Sequence, residues 1–91
     1  MTTIVTYHEV YDSAHWLASP RRQALFGPLG ITARTFLDPE NSTRVALIME
    51  VPGVSAFLAV IESDKAKAAL ILDGVKVETL VVLIEALSPQ Q

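Results

Sequence analysis

The stretch Val75–Leu87, VKVETLVVLIEAL, constrains this chain more than any other. It reads as a strand that is apolar on both faces. Alternation with period two puts Leu80, Val82 and Ile84 on one side and Val81 and Leu83 on the other. A small antiparallel sheet normally keeps one face wet and alternates cleanly. Here the second face also needs a cover, and the chain has helix enough to cover only one. The pattern predicts a homodimer whose two sheets face each other, with a closed space between them for a ligand.

Composition supports self-association. Ninety-one residues make one domain, expected over residues 1–88, with a short tail at residues 89–91. A domain this small buries a modest fraction of its surface. Yet 51% of its residues are hydrophobic and its mean hydropathy is +0.38, more apolar than a small monomer's surface accommodates. No apolar run approaches the roughly 18 residues of a membrane span. The opening MTTIVTYHEV lacks the basic and apolar regions of a signal peptide, so a cytoplasmic location is expected. There is no cysteine, hence no disulfide framework or thiolate metal site. Net charge is -3 and the only basic pair is Arg21–Arg22, which argues against a nucleic-acid partner.

The elements follow from local signals. Thr3–Val10 is rich in Ile, Val, Thr and Tyr and reads as a strand. Asp12 or Ser13 caps a helix carrying Trp16, and Pro20 interrupts it. Ser19-Pro20 is also a fresh N-cap and N1 pair, so the first helical region should bend or restart there, ending at Gly27-Pro28. Gly30–Leu37 and Arg44–Val51 read as strands joined by the turn residues Asp38-Pro39-Glu40-Asn41-Ser42. Val54–Glu62 reads as a helix, and Ser63 caps another that runs to Leu72 and stops at Asp73-Gly74. The order is the split βαβ of the ferredoxin-like α+β class: βαββαβ, with helices on one face of a four-stranded antiparallel sheet.

Parity then assigns faces. Val5, Tyr7, Val45, Leu47, Met49, Leu80, Val82 and Ile84 are assigned to the helix-covered core. Ile4, Thr6, His8, Arg34, Phe36, Ala46, Ile48, Glu50, Thr79, Val81, Leu83 and Glu85 are assigned to the open face. That second set is mostly apolar with a few polar groups, which is the make-up of a ligand cavity.

The chain resembles the dimeric α+β-barrel superfamily. The features that carry the resemblance are the first strand running into HEVYDSAHW, with Trp16 early in the first helix, and the strand RVALIMEV leading to a helix through Phe57. The helix Ser63–Leu72, Asp73-Gly74 and the final strand complete it. The superfamily includes antibiotic-biosynthesis monooxygenases, polyketide cyclases and muconolactone-isomerase-like proteins. The resemblance implies two sheets closing face to face into a barrel. It carries over no catalytic string, and the break at Pro20 departs from a continuous first helix.

Among candidate site residues, His8 is expected to face the cavity from a central strand and shuttle a proton near neutral pH. The bland alternative is a histidine satisfied by a neighbouring group. Glu50 is expected close enough to orient it, or else to be a strand-end glutamate in water. Arg34 is expected to bind a carboxylate or stabilise an oxyanion, or to pair with Glu50. Phe36, Ile48 and Val81 are the expected substrate contacts, and Trp16 is expected to pack its helix on the sheet or, as a fourth contact, to line the pocket. His8, Glu9, Asp12 and His15 do not fit HExxH spacing, so no metal is expected, and four unclustered glycines make no phosphate loop. The expected function is a cofactor-independent enzyme acting on a small hydrophobic, cyclic or aromatic metabolite, by isomerisation or cyclisation or by oxygenation. The alternative is a non-catalytic dimeric binding protein.

Overall fold

The computed structural model describes residues 1–86. The expected tail at residues 89–91 and the last residue of the expected final strand, Leu87, lie outside them. Strands β1 (Thr2–Val10), β2 (Thr32–Leu37), β3 (Arg44–Val51) and β4 (Val75–Ile84) form one antiparallel sheet in the order β2-β3-β1-β4. Helices α1 (Ser13–Ala18), α2 (Arg21–Phe26), α3 (Val54–Ile61) and α4 (Asp64–Leu72) connect the strands. This is the ferredoxin-like arrangement expected from the sequence.

Capping explains the helix boundaries. The Asp12 carboxylate accepts the backbone N–H groups of Ala14 and His15 and opens α1. The first helical region does break at Ser19-Pro20. α1 ends at Ala18, and the Ser19 hydroxyl accepts the N–H of Arg21, the first residue of α2. A 3₁₀ turn at Gly27–Leu29 and a left-handed Gly30 then release the chain into β2. Ser63 caps α4 through the Ala66 N–H, and a left-handed Gly74 ends the segment.

The core lies between the helices and the sheet. Ile4, Val10, Trp16, Met49, Val51 and Phe57 are sealed from solvent there. In the antiparallel register Ile4 sits opposite Met49, Thr6 opposite Leu47 and His8 opposite Val45. Directly opposed residues share a face, so the even-numbered residues of β1 belong with the odd-numbered residues of β3. The face assignment of β1 made from parity is therefore corrected. Ile4, Thr6 and His8 lie under the helices, while Val5 and Tyr7 are on the open face, where Tyr7 is 47% exposed. The assignments of Val45, Leu47, Met49 and of Leu80 and Val82 to the helix side hold.

β4 contains a bulge. Tyr7 pairs with Val81 but Glu9 pairs with Lys76, so residues 77–80 oppose His8 alone. The Thr79 hydroxyl stitches the bulge. It accepts the Glu9 N–H at 2.8 Å and donates to the Lys76 carbonyl at 2.6 Å.

Candidate functional site

A narrow apolar recess lies between the helices and the sheet. It measures about 70 Å³ and is bordered by His8, Trp16, Arg22, Phe26, Phe57 and Leu80, among others. Its origin is visible in the sequence of α4. The inner face of that helix is Ala66 and Ala69, which favour helix but leave volume above the sheet. The lining is almost wholly apolar, with His8 and Arg22 among its few polar groups.

His8 is only 5% exposed. Neither ring nitrogen has a hydrogen-bond partner. Its ring meets Trp16 edge to face, with centroids 5.5 Å apart and planes at 76°. Burial, with the Arg22 guanidinium as a smaller second cause, pushes its pKa down from 6.5 to about 4. At neutral pH it is an uncharged imidazole with one donor and one acceptor to offer. An unsatisfied buried polar group costs about 1–3 kcal/mol, so a wild-type residue left this way has the character of a ligand contact.

Arg22 is the charge beside it. Its guanidinium stacks 4.4 Å from the Trp16 ring centroid and donates to the Trp16 carbonyl at 3.1 Å. Burial lowers its pKa, and Asp73 acts in the opposite sense. Asp73 is buried and committed elsewhere. It accepts Arg21 Nη1 at 2.8 Å and the Ser19 hydroxyl at 2.6 Å, tying the α1–α2 break to the end of α4. His15 Nε2 donates to the Leu72 carbonyl at 2.9 Å and holds α1 to the same end.

The expected trio does not assemble. His8 lies under the helices. Arg34 and Glu50 extend from the opposite face, where Arg34 pairs with Ile48 and Glu50 with Thr32 in the β2–β3 ladder. Glu50 also faces Thr3 across β1, five residues from His8, and accepts the Thr3 hydroxyl at 2.9 Å. It is therefore not the group that orients His8. Arg34 lies 5.7 Å from the Phe36 ring and makes no ion pair among the described residues. Of the four expected substrate contacts, Trp16 borders the cavity. Phe36, Ile48 and Val81 share the open sheet face with Tyr7 and Leu83. Among the described residues no three His, Asp or Glu side chains gather to hold a metal ion.

Sequence reasoning missed Arg22, Asp73 and Phe57 as site residues. A signal for Arg22 existed. Two arginines open α2, where the helix dipole disfavours positive charge. Residues placed against that rule are held by other partners, here Asp73 and the Trp16 carbonyl.

Comparison with solved structures places the architecture. An antibiotic biosynthesis monooxygenase superposes with a TM-score of 0.62 at 14% identity, covering 98% of this chain and 100% of that one. A Bordetella bronchiseptica protein provisionally assigned the same activity gives a TM-score of 0.73 at 15% identity, covering 96% of each chain. The chain has the fold of these proteins. A Nitrosomonas europaea protein with the same provisional assignment superposes at 0.62 and 14% identity, covering 94% of this chain and 97% of that one. At these identities the likeness to the monooxygenase structures is one of fold. No protein-family model and no curated protein sequence matches the chain significantly.

Proposed function

We propose that this protein is a small-molecule enzyme of the monooxygenase-like type. It acts on a hydrophobic phenolic or enolisable ring compound held beneath the helices. The observation that carries this reading is His8, a neutral imidazole with both nitrogens unpaired in an apolar cavity beside a guanidinium. A substrate hydroxyl donates to the free His8 acceptor. As the hydroxyl loses its proton to His8, the Arg22 charge stabilises the oxyanion left behind. An imidazole with a pKa near 4 is a weak base, so the oxyanion must be held by Arg22 for the transfer to proceed. The resulting enolate or phenolate either takes the proton from His8 at carbon, giving the keto isomer, or gives its electrons to dioxygen. The binding-only alternative calls for a histidine already paired within the protein, and the unpaired nitrogens favour the enzyme.

The substrate needs room. An apolar cavity of roughly 150 Å³ is the size that takes benzene, and this one is about half that. α2 is the wall that yields: it has no fully buried residue, and the break at Ser19-Pro20 separates it from α1.

The protein acts as a homodimer closed through its sheets. Tyr7, Phe36, Val81 and Leu83 crowd the open face, with Tyr7, Phe36 and Leu83 each more than 40% exposed in the single chain, a patch that a second sheet would cover.

The test is a screen with 1-naphthol and anthrone at neutral pH. Oxygen uptake scores oxygenation, and deuterium incorporation from D₂O without oxygen uptake scores proton transfer. Either activity should fall at least about 10²-fold in His8→Ala. Activity that survives His8→Ala, or appears in Arg34→Ala losses alone, refutes the reading.

A further inference from the structure

A second recess, of about 180 Å³, lies on the other side of α2, lined by Ser19, Arg22, Gln23, Phe26, Ala33 and Thr35, among others. Two of these side chains, Arg22 and Phe26, also border the buried cavity. They are the partition between an apolar chamber of about 70 Å³ and a larger, more polar recess open to solvent. Neither space alone matches a ring compound with a polar substituent. Joined, they offer an apolar end against Trp16 and Phe57 and a polar end against Gln23, Thr35 and the Ser19 region.

The charge of the recess is one-sided. Among the described residues Arg22 is the only ionisable one in its lining. Asp73, the carboxylate whose charge acts on Arg22, already serves Arg21 and Ser19. A guanidinium carries five N–H donors, and Arg22 spends one on the Trp16 carbonyl. Arg22 lines the recess, whose described lining holds no competing anion, and an incoming carboxylate that reached its remaining donors would find a fork suited to its two oxygens. Phe26 is held by packing alone: it lies 5.9 Å from the Phe57 ring, tilted by 31°, and is only partly buried. Its ring can swing without breaking a hydrogen bond.

We propose that Arg22 and Phe26 form a movable partition, and that the ligand is an aromatic acid whose ring enters the buried chamber while its carboxylate stays in the recess on Arg22. This rests on the chamber being the binding site and adds the ligand's second, anionic end. Arg22 then selects the substrate as well as stabilising charge, and entry runs past α2 rather than through the dimer interface.

The experiment uses 2-naphthoate and its neutral counterpart 2-naphthalenemethanol, followed by NMR on the 91-residue chain. Trp16 is the sole tryptophan, so its indole N–H is a single resonance reporting on the chamber. The Ala33 and Thr35 amides report on the recess. 2-Naphthoate should shift both sets together and bind at least about 10-fold tighter than the alcohol. Arg22→Gln should erase that preference, 2-naphthoate losing at least about 10-fold more affinity than the alcohol. Phe26→Trp, which thickens the partition, should weaken both probes. Naphthoate that moves Trp16 alone, or a preference that survives Arg22→Gln, overturns the partition and leaves the chamber as the site. If neither probe moves Trp16, the chamber itself fails as the site, and the partition with it.

Discussion

Protonating His8 should destabilise the folded protein, and the size of the effect follows from its burial. The ring is uncharged in the fold because it is desolvated and lies near Arg22, with its pKa pushed down to about 4 from 6.5. The unfolded chain therefore binds more protons than the folded one between about pH 4 and 6.5. Stability from this group is fully present above pH 6.5. It falls as the pH drops through that window and levels off below about 4. The gap, at about 1.4 kcal/mol per pH unit, is worth about 3 kcal/mol. For a domain of this size each 1 kcal/mol moves the melting temperature by about 4–8 °C. Wild type and His8→Leu should be melted by circular dichroism at intervals from pH 7.5 to 4. Carboxylates titrate in both proteins, so the difference isolates His8. His8→Leu should match or exceed wild type at pH 7, because it removes two unsatisfied polar atoms. Its advantage should then grow by more than about 10 °C on acidification. Arg22→Gln should leave the onset near pH 6.5 and raise only the lower end of the window, shrinking the loss in part, since the charge is the smaller cause. Parallel melting curves for wild type and His8→Leu across the range would show that His8 is not desolvated as described.

Other outcomes follow from the packing. Phe57→Ala removes a fully buried ring from the chamber wall and should cost about 3–5 kcal/mol in urea unfolding; a cost below about 1 kcal/mol would mean that the wall is not packed. Asp73→Asn weakens the tie between the α1–α2 break and α4. It should cost about 1–2 kcal/mol, a modest figure because Arg21 is 37% exposed, and a raised melting temperature would contradict it. Light scattering at micromolar concentration should give twice the 9.9 kDa chain mass, and Val81→Asp should abolish the dimer. A monodisperse wild-type monomer would remove the sheet-to-sheet interface.

The elements were legible because their boundaries carry local chemistry. Asp12, Ser63 and Gly74 act where their residue types act in most proteins, and Ser19-Pro20 breaks the helix as a proline there must. The face of β1 was not legible from alternation, because both of its sides are partly apolar. The odd set holds Val5 and Tyr7, and the even set holds Ile4 and Val10 with Thr6 and His8 between them. Glu9 is the residue that could have settled it. A charge on the odd side, against an even side bounded by aliphatics at both ends, marks the even side as buried. Alternation alone puts His8 on the open face with Arg34 and Glu50. The bulge in β4 is harder to foresee. It moves Val75 onto the same side as Leu80 despite their opposite parity, and only the Thr79 hydroxyl hints at where the extra residues go.

If the ligand binds at the unpaired His8 imidazole, the response to it lies beneath the helices and not on the open face of the sheet. The measurement that tests it most directly is the ¹⁵N spectrum of the His8 ring at pH 7, recorded with and without 1-naphthol. The ring should be neutral in the free protein, and the nitrogen lacking a proton should shift as it accepts the naphthol hydroxyl. The amides of Ile48 and Val81 on the open face should stay in place. A ring that is charged at pH 7, or that does not respond while Ile48 and Val81 move, would put the ligand on the other side of the sheet and contradict the account.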